Sequence, residues 1–240
     1  ALLNPIEDDP LPSLLRPGMK LTIAFDDISL PLPSMRKPDI RQRIIEQVLD
    51  MAAAAGVDDV HLIAALALHR RMTEDELRHA LGDRVYDAFA PQGALYNHDA
   101  EDPDGMVELG RTRHDEAVTM NKRAAESDLL VYVNLNIVSM DGGWKSTATG
   151  LSGYSGIKHH HNVKTMRESK SFMDRHSSEL HHSNWRQGEV IKNHGPRIFQ
   201  IETTINNNTF GYDGPLNVLQ KREWEWSVKD RATFVGMQKG

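Results

Sequence analysis

Apolar and polar positions repeat with two different periods in the first part of the chain. Residues 20–25 alternate and then become apolar, which is typical of a β-strand. Residues 38–55 instead have helical spacing, and Gly56 stands where such a helix ends. The apolar stripe of that helix consists of Ile40, Ile44, Ile45, Val48 and Met51. Residues 57–68 form a near-continuous apolar run, as in a strand buried on both faces of a parallel sheet.

The same alternation of strand and helix continues further along the chain. Residues Thr73 to Glu76 form a capping box, which predicts a helix that ends at Gly82. Further strands are predicted at 106–109, 117–120, 129–134 and 197–205, and further helices at 163–175 and 185–193. A βαβ order of this kind predicts an α/β fold, doubly wound, with a mostly parallel sheet and helices on both faces.

This pattern also divides the chain into three parts. Residues 1–19 are proline-rich and are predicted to be an irregular lead-in that packs against another part of the molecule. Residues 20–205 carry the strands and helices and are predicted to be one α/β domain. Residues 206–240 are predicted to be a tail or a linker toward a second domain.

Composition narrows the classes of protein and of partner. The 240 residues carry a formal net charge of −6, with a pI near 6.1, which argues against a nucleic-acid surface. No apolar stretch approaches the roughly 20 residues that span a bilayer, and the amino end does not resemble a signal peptide. Cysteine is absent, which excludes disulfides and thiolate metal sites and fits a cytoplasmic protein. The 12 histidines are the unusual feature, because seven of them lie between His159 and His194.

Polar residues follow three of the predicted parallel strands. Asp26 and Asp27 follow the first, His69 follows the second, and a loop at Gly142–Lys145 lies just past the strand at 129–134. Ligand sites in such sheets gather at the carboxyl ends of the strands. The three segments are therefore predicted to converge on one edge of the sheet.

The richest of these segments runs from Gly142 to His161. Its paired glycines, Gly142 and Gly143, permit a close approach of the backbone to a ligand. Lys145 is a candidate amine nucleophile, and the run His159–His161 offers neutral imidazoles as metal ligands. Taken alone, the segment is equally typical of an ordinary surface turn followed by a solvated histidine patch.

Five stretches in the same order resemble the amino-terminal domain of the nickel-pincer lactate racemase family. ALALHRRMTEDEL resembles the family's A-L-G-T-H-R-x-x-T-x-x-E-L, and YNHDAEDPDGMVELG resembles its N-H-D-A-x-D-P-x-x-L-x-x-L-G. NKRAAESDLLVYV resembles N-x-x-x-x-E-A-D-L-x-I, GGWKS stands where the family has G-G-R-K, and TGLSG stands for P-G-I-x-G. The matches cover roughly residues 20–165, and spaced matches in a common order are far more specific than one motif.

This resemblance implies roles for individual residues. It implies that Lys145 is joined covalently to a pyridinium-derived nickel-pincer nucleotide, that His161 ligates the nickel, and that His69 is the general base on a substrate hydroxyl. Gly142, Gly143 and Asp27 are the other residues expected to bind the cofactor. One imidazole suits such a nickel site, because a carbon and two sulfurs of the cofactor would supply the remaining ligands of a planar arrangement.

The chain departs from the family in three places. The family's second catalytic histidine lies ten residues before the lysine, and that position is Leu135 here. The arginine of the family's D-x-T-R-P-x-P loop, which is expected to hold an anionic substrate group, is Leu30. The family's carboxy-terminal domain has no counterpart in these 240 residues.

These observations predict an isomerase: a racemase or epimerase that acts on a small 2-hydroxy acid or a related polyol acid. Two other functions stay open, namely one-sided hydride transfer with a single base, and a non-catalytic relative that binds a cofactor or partner. A zinc hydrolase built on His159–His161 is disfavoured, because adjacent side chains in a run diverge. His181 and His182 are candidates for the missing base, although nothing in the sequence places them near Lys145. The partners left open are a second domain or subunit and a further copy of the chain.

Overall fold

Seven strands form two sheets in the computed structural model of the chain, which describes residues 1–27, 34–211, 218 and 221–237. Their bounds are Lys20–Asp26 (β1), Asp59–Ala65 (β2), Leu95–Asn97 (β3), Met106–Arg111 (β4), Ala117–Asn121 (β5), Leu129–Asn136 (β6) and Arg197–Thr204 (β7). The main sheet has the order β3-β2-β1-β6-β7, and every neighbouring pair in it is parallel. β4 and β5 pair antiparallel as a separate hairpin. The prediction of a doubly wound, mostly parallel α/β fold is therefore confirmed.

Ten α-helical segments surround the strands in the described residues. They are Leu11–Leu14 (α1), Ile40–Ala54 (α2), Glu74–Leu81 (α3), Asp83–Phe89 (α4), Lys122–Ala125 (α5), Trp144–Gly150 (α6), Tyr154–Ile157 (α7), Val163–Glu168 (α8), Glu179–His194 (α9) and Val228–Met237 (α10). None of the described helices has the length and apolar character needed to cross a membrane.

Two apolar cores lie on the two faces of the main sheet, and the alternation along each strand decides which residue enters which core. Leu21, Ile23 and Phe25 of β1 point into the core that contains α2, α3 and α4. Ala24 points the other way, into the core shared with the hairpin, α6 and α9. Successive side chains of a strand face opposite sides, so a strand covered on both faces is apolar at nearly every position.

The helices and strands that pattern predicted are present, but several limits differ. The strand predicted over 57–68 ends at Ala65, because a turn follows in which Ala67 has a φ of +52°. The helix predicted over 163–175 ends at Glu168, where the Ser169 hydroxyl donates to the carbonyl oxygen of Thr165, at 2.7 Å, and competes with helical bonding. The short strand β3 and the helix α4 were not predicted.

The lead-in and the first residues of the tail contact the domain. The lead-in at 1–19 is not wholly irregular, since α1 forms one helical turn, and Leu11 and Leu15 are buried in the core beside α2. In the tail, Phe210 pairs with Met35 through an isolated β-bridge. The boundaries at residues 19 and 205 stay a prediction.

Candidate active site

The order of the strands creates a switch point between β1 and β6. From β1 the chain winds outward through β2 to β3 on one side, and from β6 it winds to β7 on the other. In open α/β sheets, ligands bind outside the carboxyl ends of the strands at such a point. A cavity of about 370 Å³ lies there, and its walls include Asp26, Asp27, His69, Lys145 and His161. The predicted convergence of the three polar segments on one sheet edge thus occurs in the structure.

His69 and Asp27 form a hydrogen-bonded pair in this cavity. His69 Nδ1 lies 2.9 Å from Asp27 Oδ2, and the His69 side chain is 49% exposed. Because a carboxylate only accepts, Nδ1 carries the proton and Nε2 is the acceptor nitrogen of the neutral ring. This hydrogen bond raises the pKa of His69 above its ordinary value. The imidazole is therefore oriented by a carboxylate and made more basic by it.

The sequence predicted that Lys145 lies in a loop, but it occupies the first turn of α6. Its Nζ donates to Asp141 Oδ1 at 2.7 Å, while Asp141 Oδ2 accepts from the main-chain N–H groups of Ile137 and Val138, each at 3.0 Å. Asp141 therefore closes the loop after β6 and holds the amine in the cavity wall. The lysine side chain is 26% exposed.

The glycine pair before Lys145 is a tight turn fastened to β7. Gly142 and Gly143 have φ values of +85° and +58°. Glu202 Oε1 accepts from the Gly143 N–H at 2.8 Å, and Gln200 Nε2 donates to the Gly143 carbonyl oxygen at 3.0 Å. A Cβ on Gly142 would lie 2.6 Å from Glu202 Oε2. The need for glycine at 142 therefore comes from the positive φ and from Glu202, whereas contact with a ligand stays a prediction.

Of the three consecutive histidines, His161 lines the cavity and His160 is buried beneath it. Their Nδ1 atoms are 2.8 Å apart, so one ring donates to the other. Burial lowers the pKa of His160 to about 3. Burial also lowers the pKa of His161, and the positive charges of Lys145 and His69 act in the same direction. His161 is therefore a neutral imidazole at neutral pH, which is the form that binds metals.

The donors of this cavity fit the group that the family resemblance implies. A primary amine, a neutral imidazole and a carboxylate-oriented imidazole line one cavity whose volume lies within the range of small-molecule sites. No group of three or more metal-binding side chains is found in residues 1–27, 34–211, 218 and 221–237. A metal that is already bound by an organic ligand needs fewer protein ligands than a free ion does. The single imidazole of His161 is sufficient for such a metal.

One of the departures from the family lies at this edge of the sheet. Leu135, near the end of β6, lines the cavity. Leu30 lies outside the described residues. His181 lines a second cavity of about 320 Å³ that shares Gly142 and Lys145 with the first. His98, in contrast, is buried, and its Nε2 lies 3.0 Å from the Ser152 carbonyl oxygen, so its ring links the loop after β3 to the segment after α6.

Tyr132 and Arg41, to which the sequence assigned no role, shape the site through their contacts with Asp26. Asp26 Oδ1 accepts from the Tyr132 hydroxyl at 2.9 Å, and Oδ2 accepts from the Leu135 N–H at 2.6 Å. Burial raises the pKa of Asp26 to about 6, although those two hydrogen bonds act in the opposite direction. Arg41, which is 0% exposed, pairs with Asp39 and also donates to the carbonyl oxygen of Asp26 at 2.7 Å. A polar residue inside an apolar helical stripe, as at Arg41, is the kind of signal that marks such a contact.

Comparison with known proteins identifies the family of the chain. The family model for the lactate racemase N-terminal domain matches residues 1–174. The chain is 26% identical over 175 residues to the lactate racemase of Lactiplantibacillus plantarum, a match that covers 71% of this chain and 39% of that protein.

Two solved structures share the fold. The lactate racemase apoprotein from Thermoanaerobacterium thermosaccharolyticum superposes with a TM-score of 0.67 and 20% identity, covering 88% of this chain and 48% of that one. A protein from Thermotoga maritima gives a TM-score of 0.61 and 15% identity, covering 79% and 47% of the two chains. This chain spans less than half the length of these relatives. From the match to the family model, the chain belongs to the lactate racemase N-terminal domain family.

Proposed function

We propose that this domain holds a nickel-pincer pyridinium nucleotide and serves the racemisation or epimerisation of a 2-hydroxy acid. The observation that supports this most is the meeting of Lys145, His161 and His69 in one cavity at the switch point of the sheet. In this proposal Lys145 is the covalent attachment point, His161 is the nickel ligand, and Gly142, Gly143 and Asp27 line the binding site. When bound, a pyridinium ring supplies the acceptor for a hydride, which no protein side chain provides.

In this reaction the chain's own residues bind the substrate and move its hydroxyl proton. A 2-hydroxy acid becomes a keto acid only if the hydroxyl proton leaves together with the hydride. His69 Nε2 is the acceptor for that proton, because Nδ1 is committed to Asp27 at 2.9 Å. Its raised pKa makes the ring a stronger base.

Covalent loading is the first test. Protein produced together with the machinery that makes the cofactor should show an added mass on the peptide that contains Lys145. Lys145→Ala should abolish it, whereas Lys158→Ala, which changes an exposed lysine nearby, should leave it in place. An unmodified Lys145 in wild-type protein from that host would reject the attachment.

Hydride transfer is the second test, and it needs the loaded protein. A 2-hydroxy acid labelled at carbon 2 should pass its label to the protein-bound group in a single turnover and return it to both configurations. A loaded protein that takes no label from a panel of 2-hydroxy acids and aldonic acids would contradict the catalytic proposal. It would favour a binding role in its place.

Leu135 supports a second candidate, an enzyme that transfers hydride on one face only. Its side chain lines the cavity at the position of the family's second histidine and has no titratable group. With His69 as the sole base, only one enantiomer would react at an appreciable rate. Separate measurement of the two enantiomers in single turnovers distinguishes this candidate from a racemase.

A further inference from the structure

The place of the missing second base is defined by Leu135 and its neighbours. Leu135 lies in β6, pairs with Thr203 of β7, and its N–H donates to Asp26 Oδ2 at 2.6 Å. A side chain at residue 135 and the carboxyl group of Asp26 therefore begin within a few ångströms of each other. Both residues line the main cavity.

Neither of the nearest cations, Arg41 and Lys145, forms an ion pair with the Asp26 carboxylate. The donors to its oxygens, the Tyr132 hydroxyl and the Leu135 N–H, are uncharged. Arg41 uses its guanidinium on Asp39 and on main-chain carbonyl oxygens, and Lys145 pairs with Asp141. A carboxylate held in this way takes up a proton more readily than an exposed one.

The strength of this base suits neutral pH. Burial raises the pKa of Asp26 to about 6. A carboxyl group with such a pKa can exchange a proton with a substrate hydroxyl group near physiological pH. The groups that act on Asp26 from the surrounding elements are Asp27 just after β1, Tyr132 and the Leu135 N–H on β6, Lys145 on α6, Arg41 on α2 and His69 after β2.

We propose that Asp26 is the second proton acceptor of the site and takes the role that an imidazole at residue 135 would have. The inference rests on the proposed function. In one direction the substrate O–H bond breaks, an O–H bond forms on the Asp26 carboxyl group, and the carbonyl double bond forms. The electron pair of the C–H bond leaves with the hydride to the pyridinium-class acceptor. In the other direction the same carboxylic acid returns its proton to the alkoxide oxygen.

The test compares wild type, Asp26→Asn, Leu135→His and the double variant Asp26→Asn/Leu135→His in the loaded protein. Single-turnover hydride transfer is measured for each enantiomer of a 2-hydroxy acid labelled at carbon 2. Asp26→Asn should slow one enantiomer by roughly 10²–10⁴-fold and the other far less, because it removes one general base of two. The double variant should recover most of that loss. Asp128→Asn makes the same change at a residue that accepts from the Lys20 N–H, at the opposite end of β1, and it should alter neither rate.

A structural role for Asp26 predicts a different result. Loss of packing or strand order would slow both enantiomers alike, and a histidine at residue 135 would not restore either rate. Equal losses, absence of rescue, or unchanged rates in Asp26→Asn would each overturn the proposal. The melting temperatures of the variants show whether a loss follows from unfolding.

A measurement on the cofactor-free protein separates this inference from the proposed function. The carboxyl infrared band of Asp26, assigned by subtracting the spectrum of Asp26→Asn, should titrate with a midpoint near 6. Tyr132→Phe should move the midpoint upward, because the tyrosine hydroxyl stabilises the charged form. A midpoint near the ordinary value for aspartate would overturn the assignment of Asp26. Failure of hydride transfer in wild type with a midpoint near 6 would instead reject the reaction.

Discussion

Two carboxylates withdrawn from bulk water show how differently this fold treats the same group. Asp26 on the cavity floor accepts from neutral donors, and burial raises its pKa to about 6. Glu116, between the hairpin and α9, accepts from Arg186 at 2.6 and 2.8 Å and from Thr112 and Ser183 hydroxyls, each at 2.7 Å. Burial acts to raise the pKa of Glu116, but these hydrogen bonds outweigh it and bring the pKa to about 2.

The two carboxylates differ in their partners: Glu116 accepts from a guanidinium and two hydroxyls, whereas Asp26 accepts only from uncharged donors. A fully compensated carboxylate stays charged and fastens two elements, which here are the hairpin and α9. A carboxylate with neutral donors keeps a proton affinity that can be used in chemistry, as is common at functional sites. The cavity is therefore expected to respond to substitution in its reaction rates, and the Glu116–Arg186 contact is expected to respond in folding stability.

The largest effect is expected at His69. His69→Ala should lower turnover of the loaded protein by roughly 10²–10⁴-fold, because it removes a positioned general base. The melting temperature should change little, since the side chain is 49% exposed. Steady-state rates with the faster enantiomer, beside thermal unfolding, measure both quantities. His194→Ala, which removes an exposed histidine at the end of α9, is the matched control. Full activity in His69→Ala would reject the assignment of the base.

The next effect is expected at the Glu116–Arg186 contact. Arg186→Met should reduce the free energy of unfolding by about 3–5 kcal/mol, because it leaves Glu116 buried without its cation. The two side chains are only 7% and 16% exposed, so water compensates little. Below the melting temperature, loading at Lys145 should match wild type. Denaturant unfolding gives the first quantity and intact mass the second. If Arg186→Met instead reduced loading at Lys145 and left the free energy of unfolding unchanged, the proposed distinction between the cavity and the Glu116–Arg186 contact would be wrong.

The smallest effect concerns the pH dependence of stability, where the two carboxylates have opposite signs. The pKa of Asp26 is raised from 3.8 to about 6, so its contribution to stability is complete below about 3.8 and is lost as pH rises through 6. The contribution of Glu116 is present above 4.5 and is lost as pH falls toward 2.

Wild type should therefore gain stability relative to Asp26→Asn as pH falls from 7 to 4. The gain should be at most about 3 kcal/mol, since each pKa unit corresponds to about 1.4 kcal/mol. Denaturant unfolding of both proteins at several pH values measures it. Parallel pH profiles for the two proteins would show that Asp26 titrates as an ordinary exposed aspartate.

Local pattern was sufficient for much of the fold. β1, α2 and the capping box at Thr73 follow from apolar periodicity and from cap residues, which act within a few positions. The edge at which Asp27, His69 and the Gly142 segment meet also followed, because parallel strands end on one side of a sheet. β3 has three residues, and α4 follows α3 with only Gly82 between them, so neither has enough length for a clear period.

The rest of the site depends on contacts between distant residues. Glu202 accepts from the N–H of Gly143, which is 59 positions earlier in the chain. The alternation along β7 indicates only that Glu202 lies on the same face of the strand as Gln200. The raised pKa of Asp26 comes from burial in the folded sheet, and the hydrogen bonds from Tyr132 and Leu135, which are 106 and 109 positions away, limit the rise. Sequence spacing carries no information about such desolvation. Asp26 and Asp27 therefore look equivalent in sequence, although their surroundings differ.

The strand order has a consequence for biosynthesis. β1 pairs with β2 and also with β6, so Leu21 lies beside both Val60 and Leu129. Contacts across such long separations form slowly, because a long loop must close before any pairing stabilises it. A nascent chain that has just reached residue 128 already contains Asp27 and His69, but it lacks β6 and the cavity residues that follow β6. We therefore expect attachment at Lys145 to await the pairing of β6 with β1, so that modification follows the closure of this sheet.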